Sequence, residues 1–169
     1  MTDHALDLQA IHNLLARYVI AVDTRRPDLL DEVFLPDSVV ELAGMGVMTP
    51  AQYRDICATV LPTLDATLHH LSMPAIVIDG DTAQSRCYFL AQHVKNTLAP
   101  RPFLMIGGWY DDVLVRTPEG WRIRHRRGTA LWSDGNPAVV GAQYLIGAAP
   151  RDEGHEAPAW LPQRPLSKP

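Results

Sequence analysis

The feature that most constrains this chain is a change of hydrophobic period near residue 65. Before that point the apolar residues recur at helical spacing. Leu8, Ile11, Leu15, Tyr18 and Val22 fall on one stripe, with Asp7, Asn13 and Arg17 opposite, which predicts an amphipathic helix over about 5–22. The helix is expected to stop within Asp23-Thr24-Arg25-Arg26. Pro27 then opens a second short helix carrying Leu29, Leu30, Val33 and Phe34 inward, ended by Pro36-Asp37. Ser38 to Leu42 reads as a short strand. Thr49-Pro50-Ala51-Gln52 is a helix start with a capping-box pattern, running to about Val60 and broken at Pro62. After residue 65 the period becomes that of strands. Leu68 to Ile78 and Thr82 to Val94 are joined by the turn Asp79-Gly80-Asp81, an Asp-Gly hairpin signal. Phe103 to Arg116 and Gly120 to Trp132 form a second long pair around Thr117-Pro118-Glu119-Gly120.

Helices first and long antiparallel strands afterwards indicate an α+β fold rather than a parallel α/β sheet. Long hairpin strands twist and curl. Three N-terminal helices laid on one face of a strongly curved antiparallel sheet enclose a cone, whose wide end is a pocket. The 169 residues suffice for one such domain. The expected division is a cone domain at 1–147 and an extended tail at 148–169, rich in proline and charge, with Trp160 and Leu161 as its anchors.

Composition narrows the function classes. The net charge is −4, and the basic cluster Arg124, Arg126, Arg127 is divided between two strand faces, so no nucleic-acid partner is expected. No apolar run approaches the ~18 residues of a membrane span, and the first residues lack a signal-type apolar core. Cys57 and Cys87 have neither metal nor redox spacing and read as buried thiols, which places the protein in a reducing cytoplasm. Serine-nucleophile, phosphate-loop and dinucleotide motifs are absent, and no metal site or cofactor is expected.

Several segments together resemble the SnoaL-like group of the nuclear-transport-factor-2-like superfamily. They are Tyr18 to Asp23, Phe34 to Val40, Thr67-Leu68-His69-His70, Ile78 to Ala83, Ile106 to Tyr110 and Gly120 to Ile123. Scytalone dehydratase, bile-acid 7-alpha-dehydratase and hexachlorocyclohexane dehydrochlorinase are the enzyme types most similar. That resemblance implies a cofactor-free lyase in which a histidine base is supported by an aspartate. Ile20 to Arg25 resembles the segment that carries the aspartate, and Thr67-Leu68-His69 the one that carries the histidine. Tyr18, five residues before Asp23, is similar to the tyrosine–aspartate spacing of the bile-acid enzyme. The dehydrochlorinase also uses a pocket lysine, and position 18 here is tyrosine.

The chemistry agrees with that implication. Elimination needs a base of near-neutral pKa beside the acidic C–H, and histidine meets that need. An aspartate on its far ring nitrogen fixes the tautomer and stabilises the imidazolium. His69 is therefore the candidate base, Asp23 its orienting partner, and Tyr18 a hydrogen-bonding group for a substrate oxygen. Taken singly, Asp23 reads equally as a helix terminator, His69 as a structural histidine and Tyr18 as core. Adjacent residues of a strand face opposite ways, so only one of His69 and His70 meets the pocket. The resemblance selects His69, and a one-residue slip would select His70.

Alternation along the last long strand groups Trp121, Ile123, His125 and Arg127 on the inner face, and Arg122, Arg124 and Arg126 on the outer. His125 and Arg127 are thus expected to reach the pocket, unless a bulge reverses them. Tyr88, Trp109 and Trp132 are further candidate lining residues. The expected activity is a dehydratase-like elimination or an isomerisation on a small, largely apolar, cyclic or polycyclic metabolite. A non-catalytic binding or assembly domain, and a dioxygenase small subunit, are the rival readings. The apolar outer sheet face predicts a homodimer or homotrimer.

Overall fold

A computed structural model describes residues 4–141, 146–149 and 156–161. The first helix, α1 (His4–Asp23), buries Ile11, Leu14, Leu15, Tyr18, Ala21 and Val22. Their three- and four-residue spacing puts them on one face against the sheet. A 3-10 turn, Pro27–Glu32, follows with proline in its first turn. Strand β1 (Phe34–Leu42) then begins earlier than expected, and a short β2 (Gly46–Met48) folds back onto it. Helix α2 (Pro50–Val60) starts with a complete capping box: the Thr49 side chain accepts from the Gln52 backbone N–H, and Gln52 accepts from the Thr49 backbone N–H.

The strand expected over Leu68 to Ile78 is two strands, β3 (Ala66–Leu71) and β4 (Ala75–Asp79). Ser72-Met73-Pro74 separates them, and proline cannot donate to a ladder. Both pair antiparallel with β5 (Thr82–Val94). The β4–β5 turn turns at Gly80, whose φ of 57° glycine adopts freely. Strands β6 (Phe103–Thr117) and β7 (Gly120–Gly135) form the long central hairpin, and β8 (Gly147–Ala148) adds to β7.

The sheet runs β2-β1-β7-β6-β5-β3, with β4 beside β5, and does not close. One pairing departs from the expected antiparallel sheet: β1 lies parallel to β7. The helical segment before β1 brings the chain back to the far end of the sheet, so β1 enters in the same direction as β7. Helices pack on the concave face, and the core lies between them and the inner residues Leu104, Ile106, Tyr110 and Leu114 of β6 and Trp121 and Ile123 of β7. No described helix is long and apolar enough to cross a membrane.

Two register shifts bend the β6–β7 hairpin. Val113 faces His125 while Leu114 faces Ile123, which leaves Arg124 unpaired as a bulge. Farther on, Gly107 faces Trp132 while Gly108 faces Ala130, so Leu131 is the extra residue. A Cβ on Gly108 would stand 2.0 Å from the Thr129 carbonyl oxygen, so only glycine permits the close approach of the strands here.

Of the expected tail at 148–169, residues 150–155 and 162–169 lie outside the described residues. The described piece 156–161 lies over the outer sheet face, where Arg86 donates to the Glu156 carbonyl at 2.7 Å. Pro158 and Leu161 line a groove there with Met73, Tyr88 and Trp109.

Candidate active site

The end of α1 and the start of β3 meet at Asp23 and His69. His69 Nδ1 lies 2.7 Å from Asp23 Oδ1, and the His69 backbone N–H donates to Asp23 Oδ2 at 2.8 Å. Both carboxylate oxygens are thus engaged by one residue, which fixes the ring as well as the strand that carries it. The two side chains are 9% and 16% exposed. Burial alone would push the Asp23 carboxyl up, but the hydrogen bonds from the His69 ring and backbone hold it below the usual carboxylate value. An ionised Asp23 on Nδ1 makes Nε2 the nitrogen left for chemistry.

His69 lines a cavity of two adjoining compartments, each of about 100 Å³, between sheet and helices. His69, His93, Tyr53, Met45 and Ile106 line both. One compartment adds Tyr18, Tyr110 and Phe89; the other is apolar, with Val22, Leu61, Leu64 and Val140.

Three tyrosine hydroxyls converge in the first compartment. Tyr18 Oη lies 2.9 Å from Tyr53 Oη and 3.4 Å from Tyr110 Oη. Tyr18 comes from the apolar stripe of α1, Tyr53 from α2 and Tyr110 from the inner face of β6. Burial pushes the Tyr53 phenol well above its ordinary value. Below them Arg126 is 1% exposed and bonded twice to buried Asp112, at 2.8 and 2.7 Å. Its guanidinium sits 4.2 Å from the Tyr18 ring centre and 4.3 Å from that of Tyr110.

His93 stands edge-on to His69 with ring centres 5.4 Å apart. Burial, helped by the neighbouring His69, pushes its pKa down to about 4, so it is neutral near pH 7. Burial likewise pushes the Cys57 thiol up to about 11. His93 and Cys57 therefore face the cavity uncharged near pH 7, beside the tyrosine hydroxyls. Among the described residues no cluster of three or more histidines, cysteines or carboxylates is arranged to hold a metal ion.

Residues 3–127 match the family model of the SnoaL-like domain. The chain belongs to the SnoaL-like family. An uncharacterized protein of Mycobacterium tuberculosis is 37% identical over 125 residues, covering 71% of this chain and 82% of that one. Among solved structures, the fold is similar to a protein from Novosphingobium aromaticivorans named after scytalone dehydratase, with TM-score 0.71 and 23% identity over 88% of this chain and 97% of that chain. It is also similar to a type 2 hexachlorocyclohexane dehydrochlorinase, with TM-score 0.66 and 19% identity over 84% of this chain and 92% of that chain. At these identities the two structures speak for the fold alone.

This SnoaL-like domain arranges some expected pocket residues differently from plain alternation. His69 lines the cavity, whereas His70 pairs with Leu90 and does not; His70 lines a second groove with His12 and Ile20, which His69 also borders. His125 and Arg127 do not reach the cavity. The Arg124 bulge shifts the phase of β7, so both turn outward toward Glu41, at 3.8 and 3.7 Å, and Arg126 turns in. Tyr88 and Trp109 also face outward, because Ala83, Cys87 and Ala91 of β5 and Ile106 and Tyr110 of β6 take the inner positions. The Tyr88 and Trp109 rings meet at 5.6 Å, and Arg86 stacks on Trp109 at 4.5 Å. Trp132 is turned outward by the Leu131 bulge and lies over Gly107.

Tyr53, Tyr110, His93 and the Arg126–Asp112 pair were not singled out from sequence. His93 was reachable: it continues the inner series of Ala83, Cys87 and Ala91 along β5. Tyr110 was reachable in the same way on β6. Arg126 was not, since its direction depends on the bulge.

Proposed function

We propose that this SnoaL-like domain is a cofactor-independent lyase of the dehydratase type, acting on a small, uncharged, largely apolar cyclic compound. The observation that carries the reading is the doubly held Asp23–His69 pair in the wall of a cavity, with Nε2 left available. In the proposed reaction the substrate carbonyl is held by the Tyr18 hydroxyl, supported by Tyr53 and Tyr110. His69 Nε2 takes the proton from the carbon beside that carbonyl, and Asp23 stabilises the imidazolium. The electron pair of the C–H bond forms the new C=C bond as the bond to a β-hydroxyl breaks. The imidazolium proton passes to the departing hydroxide, which leaves as water, and His69 returns to its starting form. If no leaving group is present, reprotonation at another carbon gives an isomerisation with the same groups.

The apolar compartment supports a hydrocarbon ring, and the tyrosine side supports one or two oxygens. A neutral His93 and the apolar compartment support an uncharged substrate rather than a carboxylate. Similarity in fold to proteins named for dehydration and dehydrochlorination supports the same reaction class. The test is turnover of a panel of cyclic β-hydroxyketones, followed by the ultraviolet absorbance of the conjugated enone. Wild type is expected to release water and enone, and His69→Ala to lose at least about 100-fold in kcat with its fold intact. Full turnover by His69→Ala refutes the proposal. Tight binding of the panel by wild type without turnover instead makes the domain a ligand carrier.

A further inference from the structure

Arg25 occupies a position built for glycine. The Arg26 backbone N–H donates to the Ala21 carbonyl at 2.8 Å and the Arg25 N–H to the Val22 carbonyl at 3.3 Å. That pair of bonds is the helix ending in which the residue after the cap adopts a left-handed conformation, normally glycine. Arg25 has φ 58° and is the only described non-glycine residue with positive φ. A side chain at this φ is unfavourable, and such a conformation persists where its surroundings enforce it, often beside functional groups.

The side chain shows what it is used for. Arg25 Nη2 donates to the Leu64 carbonyl at 2.6 Å and to the Asp65 carbonyl at 3.2 Å. Those two residues lead into β3 and are themselves tied to β5: the Asp65 N–H donates to the Val94 carbonyl at 2.8 Å, and Asp65 Oδ2 accepts from the Asn96 N–H at 2.7 Å. The guanidinium therefore bridges the end of α1, two residues past Asp23, to the entry of β3, four residues before His69. It spans the same two elements as the Asp23–His69 pair. Among the described residues, the other hydrogen bonds between these two stretches are those of Asp23 with His69.

We propose that Arg25 is a positioning residue: it clamps the end of α1 to the start of β3 and so sets the Asp23–His69 geometry. The role in turnover rests on the function proposed above, whereas the effect on geometry does not.

Arg25→Gly tests this in the full chain, because glycine suits the backbone and only the clamp is lost. The first readout needs no substrate. In ring-¹⁵N-histidine-labelled protein, the His69 Nδ1 proton, assigned by its disappearance in His69→Gln, is expected to be protected from solvent exchange in wild type. In Arg25→Gly its exchange is expected to quicken at least about tenfold while Tm stays within about 3 °C of wild type. Arg25→Lys, with one donor group and no fork, is expected to fall between. With a turned-over substrate, Arg25→Gly is expected to lower kcat by roughly 10- to 100-fold with little change in KM, the signature of a misplaced base. Unchanged Nδ1 exchange in Arg25→Gly overturns the proposal. So does a Tm fall well beyond 3 °C, which makes Arg25 a general brace. Quickened exchange together with an active His69→Ala would leave the clamp standing and refute the lyase.

Discussion

Asp23 grips His69 twice, through the ring Nδ1 and through the backbone N–H, so one carboxylate orients both the imidazole and the strand bearing it. Asp23→Asn keeps the shape but has one accepting oxygen where the carboxylate has two, so it loses one of the two bonds to His69 and carries no charge to stabilise an imidazolium. It is expected to lower kcat by roughly 100- to 10,000-fold, within the range that a positioned base contributes. Steady-state kinetics on an enone-forming substrate, with circular dichroism to confirm the fold, reads this out.

Acid is expected to destabilise the protein in two windows. His93 is held neutral in the fold, with a pKa near 4 against 6.5 for a free histidine. The unfolded chain binds that proton first, so stability falls as pH drops from 6.5 towards 4, by about 3 kcal/mol if the whole shift is realised. Asp23 is lowered from 3.8, so its contribution is complete above that value and is lost only as pH falls below it. Urea melts of wild type and His93→Gln between pH 7.5 and 2.5 separate the two. The substitution flattens the upper window.

The buried Arg126–Asp112 pair predicts asymmetric costs. Arg126→Met leaves Asp112 charged and unpaired in the core, at a cost of roughly 3–5 kcal/mol. Asp112→Leu combined with Arg126→Met removes the stranded charge and is expected to recover most of that loss. Equilibrium denaturation of the single and double variants measures the coupling.

Tyr18 is the middle hydroxyl of three, so Tyr18→Phe breaks both links of the chain. The expected stability loss is about 1 kcal/mol, because the ring and its contact with Arg126 remain. The expected kinetic loss is larger, at roughly tenfold or more in kcat, and Tyr53→Phe is expected to lose less.

Much of this arrangement was legible in the sequence because it follows from periodicity. The stripe through Leu15, Tyr18 and Val22 points Tyr18 inward, and the capping box at Thr49 starts α2 where Tyr53 can face the cavity. The order of helices before long strands gives the cone. What was hidden depends on register. Nothing local marks Arg124 or Leu131 as unpaired; each is extra only relative to β6, which lies in another part of the chain. Alternation was therefore right for Trp121 and Ile123 and reversed for His125, Arg126 and Arg127. The parallel placement of β1 was equally invisible, since short strands carry no mark of direction. Tyr88 and Trp109 were misplaced for a different reason: large aromatics suggest a pocket, but here they cover the outside of a sheet with the help of Arg86.

The bulge at Arg124 makes residue count, and not only residue type, a determinant of this interior. Substitutions along β7 leave its phase untouched. A single insertion or deletion between Trp121 and Arg126 would act as a frameshift in three dimensions, sending the guanidinium into solvent and bringing His125 or Arg127 against Asp112 and the tyrosines. Sequence libraries, and alignments with remote relatives, therefore keep this interior only when they preserve the length of that six-residue stretch.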